Sequence, residues 1–415
     1  MKTISLLLIV IILNISNIYP QGEAAIPSLS LNPSPELTGL GWTGVSIPND
    51  DPFGFYYNPA NLGYFSQKNN FSFNTYTTPA EWFKNFRARG IEYNNYAFNV
   101  GYNFQKEFNG LDISAGAGFI HSKFSFGTFY SSAGNSFESY DSYNAFGLGV
   151  SINYYVSFSM GITFKSVFSK LSDNPVDDNF GEADVNAIDY GFLLTVPVTK
   201  FFDNNGFRLS DKAVLIPAFS YSLGYSRLNI GDEVYYIDPA QSDPIPLTAR
   251  LGHTFSFGLD LGNEDFNLNL INYDLILEAD DILIEKSFQT DSTVKTSYQG
   301  MLGDIDFVKH LIQLEGDDKV VVHKGHAINL LETIKILRGS FRGRGFMDGR
   351  FTDGLIISSR GMFKFIGYIT GSETLRFIGD HFDIRYTEST LFADSQDAVD
   401  FSSISVSLIN FPFYN

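Results

Sequence analysis

The sequence predicts an all-β, transmembrane antiparallel β-barrel of about 14 strands with an N-terminal hatch or plug segment, an even number as single-chain bacterial barrels require. Three observations carry this. From about Phe71 onward, short runs place a large apolar residue at every second position, as in Tyr96, Phe98, Val100, Tyr102 and Phe104, with Asn, Ser, Gly, Thr or Asp between. A period of two sends each set to its own face of a strand. The chain carries 41 Phe and 23 Tyr but only 18% charged residues, against about a quarter in ordinary soluble domains. Its mean hydropathy of -0.03 is nevertheless too low for a bundle of spanning helices, and a barrel reconciles the two because half of each strand is polar.

The elements follow in chain order. Residues 1–21 read as a signal peptide: Lys2 gives a positive start, Ile4 to Ile15 is apolar, and Asn17 to Gln21 turns polar. That stretch is shorter than the roughly 20 apolar residues a spanning helix needs. Cleavage is expected near Tyr19 to Gln21, with an uncleaved anchor as the alternative. The absence of Cys excludes a lipoprotein anchor, disulfides and thiolate metal sites. A net charge of -18 argues against nucleic acid as a partner and suits acidic loops in water.

Residues 67–415 read as the barrel. Expected strands run Phe71 to Thr78, Tyr93 to Phe104, Leu111 to Phe126, Tyr143 to Tyr155, Val156 to Phe168, and around Ile188 to Val196, Leu215 to Tyr225, Leu247 to Leu259 and Phe266 to Leu277. Gly325 to Phe341 reads as a hairpin turning near Glu332 and Thr333, followed by Thr352 to Phe365, Leu375 to Thr387 and Phe401 to Phe411. Turn-forming breaks lie at Glu107 to Gly110, Ser172 to Glu182 and Asp238 to Pro246. The Asp173, Asp177 and Asp178 group has no EF-hand spacing and reads as a solvated loop. An irregular insertion near 285–324 interrupts the series, with Phe307, Leu311 and Leu314 able to form a short amphipathic helix around His310.

Residues 22–66 do not alternate. Gly39-Leu40-Gly41-Trp42-Thr43-Gly44-Val45 is followed by Asn49-Asp50-Asp51 and by Tyr56-Tyr57-Asn58-Pro59-Ala60-Asn61-Leu62-Gly63. Glycines permit close backbone approach and Asn-Pro forms turns. A barrel too wide to be filled by side chains needs a plug or leaves a channel, so Gly39, Gly41, Gly44, Asp50, Asp51, Asn58, Pro59 and Ala60 mark a candidate hatch.

The order Gly-x-Gly, small residues, Asp-Asp and Asn-Pro-Ala near the N-terminus resembles the PorV/PorQ family of outer-membrane proteins, itself related to the long-chain fatty acid transporter (FadL-like) superfamily. His326-Ala327 to Glu332, Leu337-Arg338-Gly339-Ser340-Phe341 and Thr352-Asp353-Gly354 resemble the family's late hairpin. The resemblance implies a hatched barrel in the outer membrane of a Gram-negative bacterium. It also implies association with type IX secretion and its protein partners, or with passage of a hydrophobic ligand.

No enzymatic constellation stands out. Asp380-His381-Phe382-Asp383 would put His381 and Asp383 on one strand face, but no Gly-x-Ser-x-Gly elbow accompanies them. His323 and His326 are three apart, so in a strand they face opposite ways and make a poor metal pair. No cofactor or metal is expected. Arg338, Arg342, Arg344 and Arg360, with Arg350, are candidates for charges on the lumen wall, paired with acidic residues of the hatch and strands. Outer-membrane lipids are the expected surroundings. Two functions stay open: a secretion or surface-attachment barrel, and a passive transporter of hydrophobic small molecules.

Overall fold

Among the described residues each long strand of the main sheet pairs with the long strand before it and the one after it, and the first pairs with the last. The computed structural model describes residues 24–84, 90–105, 112–130, 136–172, 181–202, 206–210, 213–263, 266–288 and 294–411. The 16-stranded sheet comprises two short marginal segments, Ala80–Glu81 and Phe207–Ser210, and 14 barrel strands. These are β1 (Asn69–Tyr76), β2 (Ile91–Asn103), β3 (Asp112–Tyr130), β4 (Ser136–Asn153), β5 (Ser157–Lys170), β6 (Glu182–Val196) and β7 (Ala213–Gly231). The second half is β8 (Thr248–Asn263), β9 (Phe266–Ile282), β10 (Val320–Leu330), β11 (Ile334–Gly343), β12 (Phe346–Ser358), β13 (Phe382–Leu391) and β14 (Val399–Ile409). Phe73 of β1 stands opposite Val406 of β14 on one side and Phe98 of β2 on the other, so the antiparallel sheet closes without an edge.

The alternation read from the sequence is the alternation of faces. On β2, Tyr96, Phe98 and Val100 are exposed on the outside, while Asn95, Ala97 and Asn99 are buried within. On β5, Phe158, Met160, Ile162 and Phe164 face out, and Ser159, Thr163 and Lys165 face in. Each expected strand has its counterpart in the barrel, and the hairpin turn at Glu332 and Thr333 separates β10 from β11.

Two expectations need correction. Ser359 to Phe365 does not continue a strand, and Leu375 to His381 does not begin one; both are helical. After two short helices in the N-terminal segment, α1 (Pro35–Gly39) and α2 (Asn61–Phe65), Ser358 caps a helix, α3, over Ser359–Thr370 by accepting the Arg360 N–H, and Gly371, at φ 69, ends it. Ser372 caps a second helix, α4, over Glu373–His381. The spacing of Met362, Phe365, Ile366 and Ile369 has the helical period rather than the period of two, and two serine caps start the helices.

Residues 283–319 form the insertion. A short ribbon pairs Ile284–Phe288 with Val294–Tyr298, and a one-turn helix covers Phe307–Ile312, capped by Asp306. It folds back against the outside of the wall: Leu283, Ile305 and Leu311 bury Ala249, Ala279 and Val322 of β8, β9 and β10. The signal segment, the break at Glu107 to Gly110, the Asp173 to Asp178 loop and the C-terminal Phe413 and Tyr414 lie outside the described residues.

Candidate functional site: the seated hatch

The N-terminal segment crosses the lumen from end to end. Call the near end the one where β1 starts and β14 stops. The Ala25 N–H donates to Pro244 O in a loop at the far end, and Asn69 enters β1 at the near end. Between them lie two short helices, α1 (Pro35–Gly39), capped by Ser34, and α2 (Asn61–Phe65). Leu37, Leu40, Val45, Phe53, Ala60 and Leu62 are completely or almost completely buried.

Strand side chains grip the backbone of the glycine motif. Thr352 of β12 donates to Gly39 O at 2.9 Å, and the His323 Nδ1 of β10 stands 2.7 Å from Gly41 O. Arg250 of β8 donates to Trp42 O at 2.6 Å. The Glu278 carboxylate of β9, wholly buried, accepts the Gly44 N–H at 2.8 Å, the Ser46 N–H at 2.9 Å and the Ser46 hydroxyl. Among the described residues these backbone groups have no helix or sheet partner of their own, and burial without one is costly. Gly41 is required twice over: its φ is +80°, and a Cβ there would sit 2.7 Å from the Ser340 N of the wall.

Charge is balanced within the same cluster. Arg250 pairs with Asp280 at 3.2 Å, approaches Glu278 at 3.8 Å, and lies 3.8 Å over the Tyr57 ring. Lys165 and Asp189 form a fully buried pair at 2.8 Å, with Lys165 4.2 Å over the Tyr56 ring and also donating to Asn229. Buried charges survive only when paired in this way.

The second half of the hatch lies on a floor of glycines. Gly101, Gly116, Gly149, Gly161 and Gly191 are in register across β2, β3, β4, β5 and β6. A Cβ at Gly161 would lie 2.2 Å from Pro59 O, and one at Gly149 2.5 Å from Gly63 N. Asn58 fixes the turn above this floor: its side-chain NH2 donates to Val45 O and Phe192 O, and its oxygen accepts the Ala60 N–H.

At the near end, Asp50 and Asp51 point to different partners. Asp50 takes both terminal nitrogens of Arg385 on β13, at 2.6 and 2.7 Å. Burial works to raise its carboxyl, but the Arg385 charge and hydrogen bonds override it and hold Asp50 below the usual carboxylate range. Asp51 accepts from Ser34, from Asn74 at 2.8 Å and from the Phe53 N–H. Burial, reinforced by the Glu36 charge, pushes it up to about 6.

The late arginines are not brought together. Arg338 shares the outward face of Ile334 and Ile336 and is exposed, because β11 pairs in unbroken register with β10 and β12 there; Leu337 and Gly339 face the lumen instead. Arg342 is also outward, donating to Met347 O. Arg344 borders a far-end cavity, Arg350 on β12 donates to Gly349 O, and Arg360 lies at the near end, 3.5 Å from Glu332. The lumen-wall reading therefore fails for Arg338 and Arg342: among the described residues the charges of the wall include Arg250, Glu278, Asp280, Lys165, Asp189 and Arg385. Their signal in the sequence is a charge inside a strand at a position of inward parity. His381 ends a helix and bonds Ile409 O, while Asp383 is engaged by Ser358 and Arg385, so they form no pair. His323 faces the lumen and His326 the outside, bonded to Tyr273.

Two cavities flank the hatch. The far one, of about 120 Å³, is walled by Trp42, Phe341, Phe346, Arg250 and Arg344 among others, with Trp42 stacked on Phe341 at 4.9 Å. The near one, of about 230 Å³, is polar and includes Asp50, Lys68, Lys335 and Arg360.

No model of a known protein family matches the chain, and no curated protein matches it. Solved structures resemble it in general shape. The toluene transporter TodX of Pseudomonas putida is 11% identical, with 91% of this chain and 98% of that one covered, at a TM-score of 0.36. A FadL homologue of Pseudomonas aeruginosa is 9% identical over 91% and 96%, at 0.35. CdiB of Acinetobacter baumannii is 10% identical over 81% and 60%, at 0.34. Likeness at this level carries no functional argument, which rests on the geometry of this chain.

Proposed function

We propose that this chain is an outer-membrane barrel that passes a small hydrophobic molecule through a lumen closed by its hatch, the transporter side of the resemblance. The membrane reading is supported by the apolar outer face of a closed sheet, since a barrel without edges leaves no backbone group unpaired in lipid. One observation carries the ligand class: the far cavity against the hatch has an apolar part, with Trp42, Phe341, Phe346 and Val321, beside a polar part with Arg250, Asp280 and His323. Its roughly 120 Å³ is on the scale of the ~150 Å³ apolar cavity that takes up benzene. A single aromatic ring or the end of an acyl chain fits there, with Arg250 and Arg344 at hand for a polar head.

The chain has two tryptophans, Trp42 and Trp82, so the Trp82→Phe variant makes Trp42 the sole reporter. Titration of the detergent-solubilised variant with toluene and with octanoate is expected to quench or shift its emission saturably, and Phe341→Ala to weaken the response at least fivefold. A linear response, the same in both proteins, overturns the reading.

A second reading, a barrel that holds secreted or secretion-system proteins, is favoured by the insertion, which leaves Phe307, Val308 and Ile312 exposed at the far end. Its test is deletion of residues 299–316: loss of a co-purifying protein with unchanged Trp42 titration supports it.

A further inference from the structure

The helical pair between β12 and β13 is built inside out. On α3 the buried residues are Gly361, Lys364 and Gly367, while Met362, Phe365, Ile366 and Ile369, at helical spacing, are exposed, Ile369 by 66%. The inner face is shaped for close packing. Gly361 sits against Leu331 O, Gly367 against the Arg376 backbone and Gly379 of α4 against the Lys364 backbone, and Lys364 reaches Glu332 at 3.0 Å. Tyr368 stacks on Phe266 at 4.5 Å, so α3 runs along the near rim from β12 towards β9. Among the described residues its greasy stripe has no protein cover, and the helix starts directly from the apolar outer face: exposed Ile357 of β12 lies two residues before Ser359, whose hydroxyl accepts the N–H of exposed Ile384 of β13.

We propose that α3 lies in the membrane leaflet at the near end of the barrel with Met362, Phe365, Ile366 and Ile369 among the acyl chains, and that its seating is transmitted to the hatch. The occupant follows from continuity: the stripe extends a surface read as lipid-facing, and an amphipathic helix lying in the interface presents such a stripe. Transmission follows from an unbroken set of contacts. Asp383 accepts from the Ser358 hydroxyl at 2.7 Å and the Arg360 N–H at 3.2 Å, both at the start of α3. Its other oxygen accepts from Arg385 Nε at 2.6 Å, and the same guanidinium clamps Asp50 of the hatch. One carboxylate thus joins the rim helix to the hatch latch.

This inference rests on the membrane-barrel reading, and the test separates the two. The chain has no Cys, so single cysteines at Ile369, at Ile404 on the outer face of β14 and at Asp380 on the exposed side of α4 can carry an environment-sensitive fluorophore in phosphatidylcholine and phosphatidylglycerol vesicles. Quenching by nitroxide-labelled lipid is expected at positions 369 and 404, and by aqueous iodide alone at 380. Quenching by lipid at 404 but not at 369 overturns the helix assignment alone. No lipid quenching at 404 overturns the barrel reading itself. For the coupling, Ile369→Glu with normal heat-modifiable gel mobility is expected to raise single-channel conductance at least threefold. A conductance equal to wild type overturns the transmission.

Discussion

Arg385 on β13 holds both carboxylate oxygens of Asp50 in the hatch, at 2.6 and 2.7 Å, while its Nε bonds Asp383 at 2.6 Å. Wall and plug are therefore joined by a bidentate, charge-assisted contact, the strongest geometry available to two side chains. The pair is partly shielded, with side chains 19% and 31% exposed. Its loss by Arg385→Gln is expected to weaken hatch seating by about 2 kcal/mol, below the full cost of orphaning a buried charge because water reaches the site. Planar-bilayer recordings check this: frequent open events in R385Q are expected, and a record as quiet as wild type contradicts the latch. The double variant D50N/R385Q should be less disturbed than R385Q alone, since of the two carboxylates that lose Arg385 only Asp383, which keeps its bonds from Ser358 and the Arg360 N–H, remains charged.

Glu278 is expected to be the least replaceable wall residue. Glu278→Ala strands the Gly44 and Ser46 N–H groups in a buried place and removes a counter-charge from Arg250. Each orphaned group costs about 1 to 3 kcal/mol. Hydrogen exchange at residues 44–46 should accelerate by at least tenfold while strand amides on β8 and β10 stay protected. Equal protection of the hatch in both proteins rules the clasp out.

The glycine floor predicts a variant that keeps the barrel and loses the seat. In Gly161→Ala the new Cβ falls 2.2 Å from Pro59 O, a backbone atom that must move. The strand itself accepts Ala readily. Heat-modifiable mobility is expected to be unchanged, with protease cutting newly seen between residues 50 and 66. Resistance to protease as in wild type shows that the floor yields instead of the hatch.

Asp51 supplies a pH dependence of definite sign. Its carboxyl is raised to about 6 in the seated hatch, above the 3.8 of an exposed Asp, so the seated form retains a proton that the released form has lost. This stabilisation is complete below about pH 4 and disappears as pH rises through 6, a change on the order of 2 to 3 kcal/mol. Asp50 has the opposite sign, its pKa being lowered, and its contribution is constant above the usual carboxylate range. Hatch amides should therefore exchange more slowly at pH 5 than at pH 7.5 once intrinsic rates are corrected. In Asp51→Asn that difference should vanish; persistence of it in D51N assigns the effect elsewhere.

Alternation alone was enough for the cylinder. Tyr96 to Tyr102 and Phe158 to Phe164 have only one arrangement that keeps every apolar side chain on one face, so strand number, facing and hairpin order were all legible along the chain. The same local rule failed at Ser359 and Leu375, where apolar residues at helical spacing follow serine caps within a series of strands. The hatch motif was legible as glycines and turn formers, but its partners were not. Glu278, Arg250, His323, Thr352 and Arg385 are dispersed over 136 positions of sequence, from 250 to 385, and meet the hatch only because the sheet closes on itself. Arg338 faces outward with Ile334 and Ile336, whose parity it shares, while Arg250 faces inward, but which hatch group each inward charge meets depends on closure. A strand's pattern is a property of neighbours in the chain, whereas a contact across a lumen is a property of closure, and only the folded cylinder determines it.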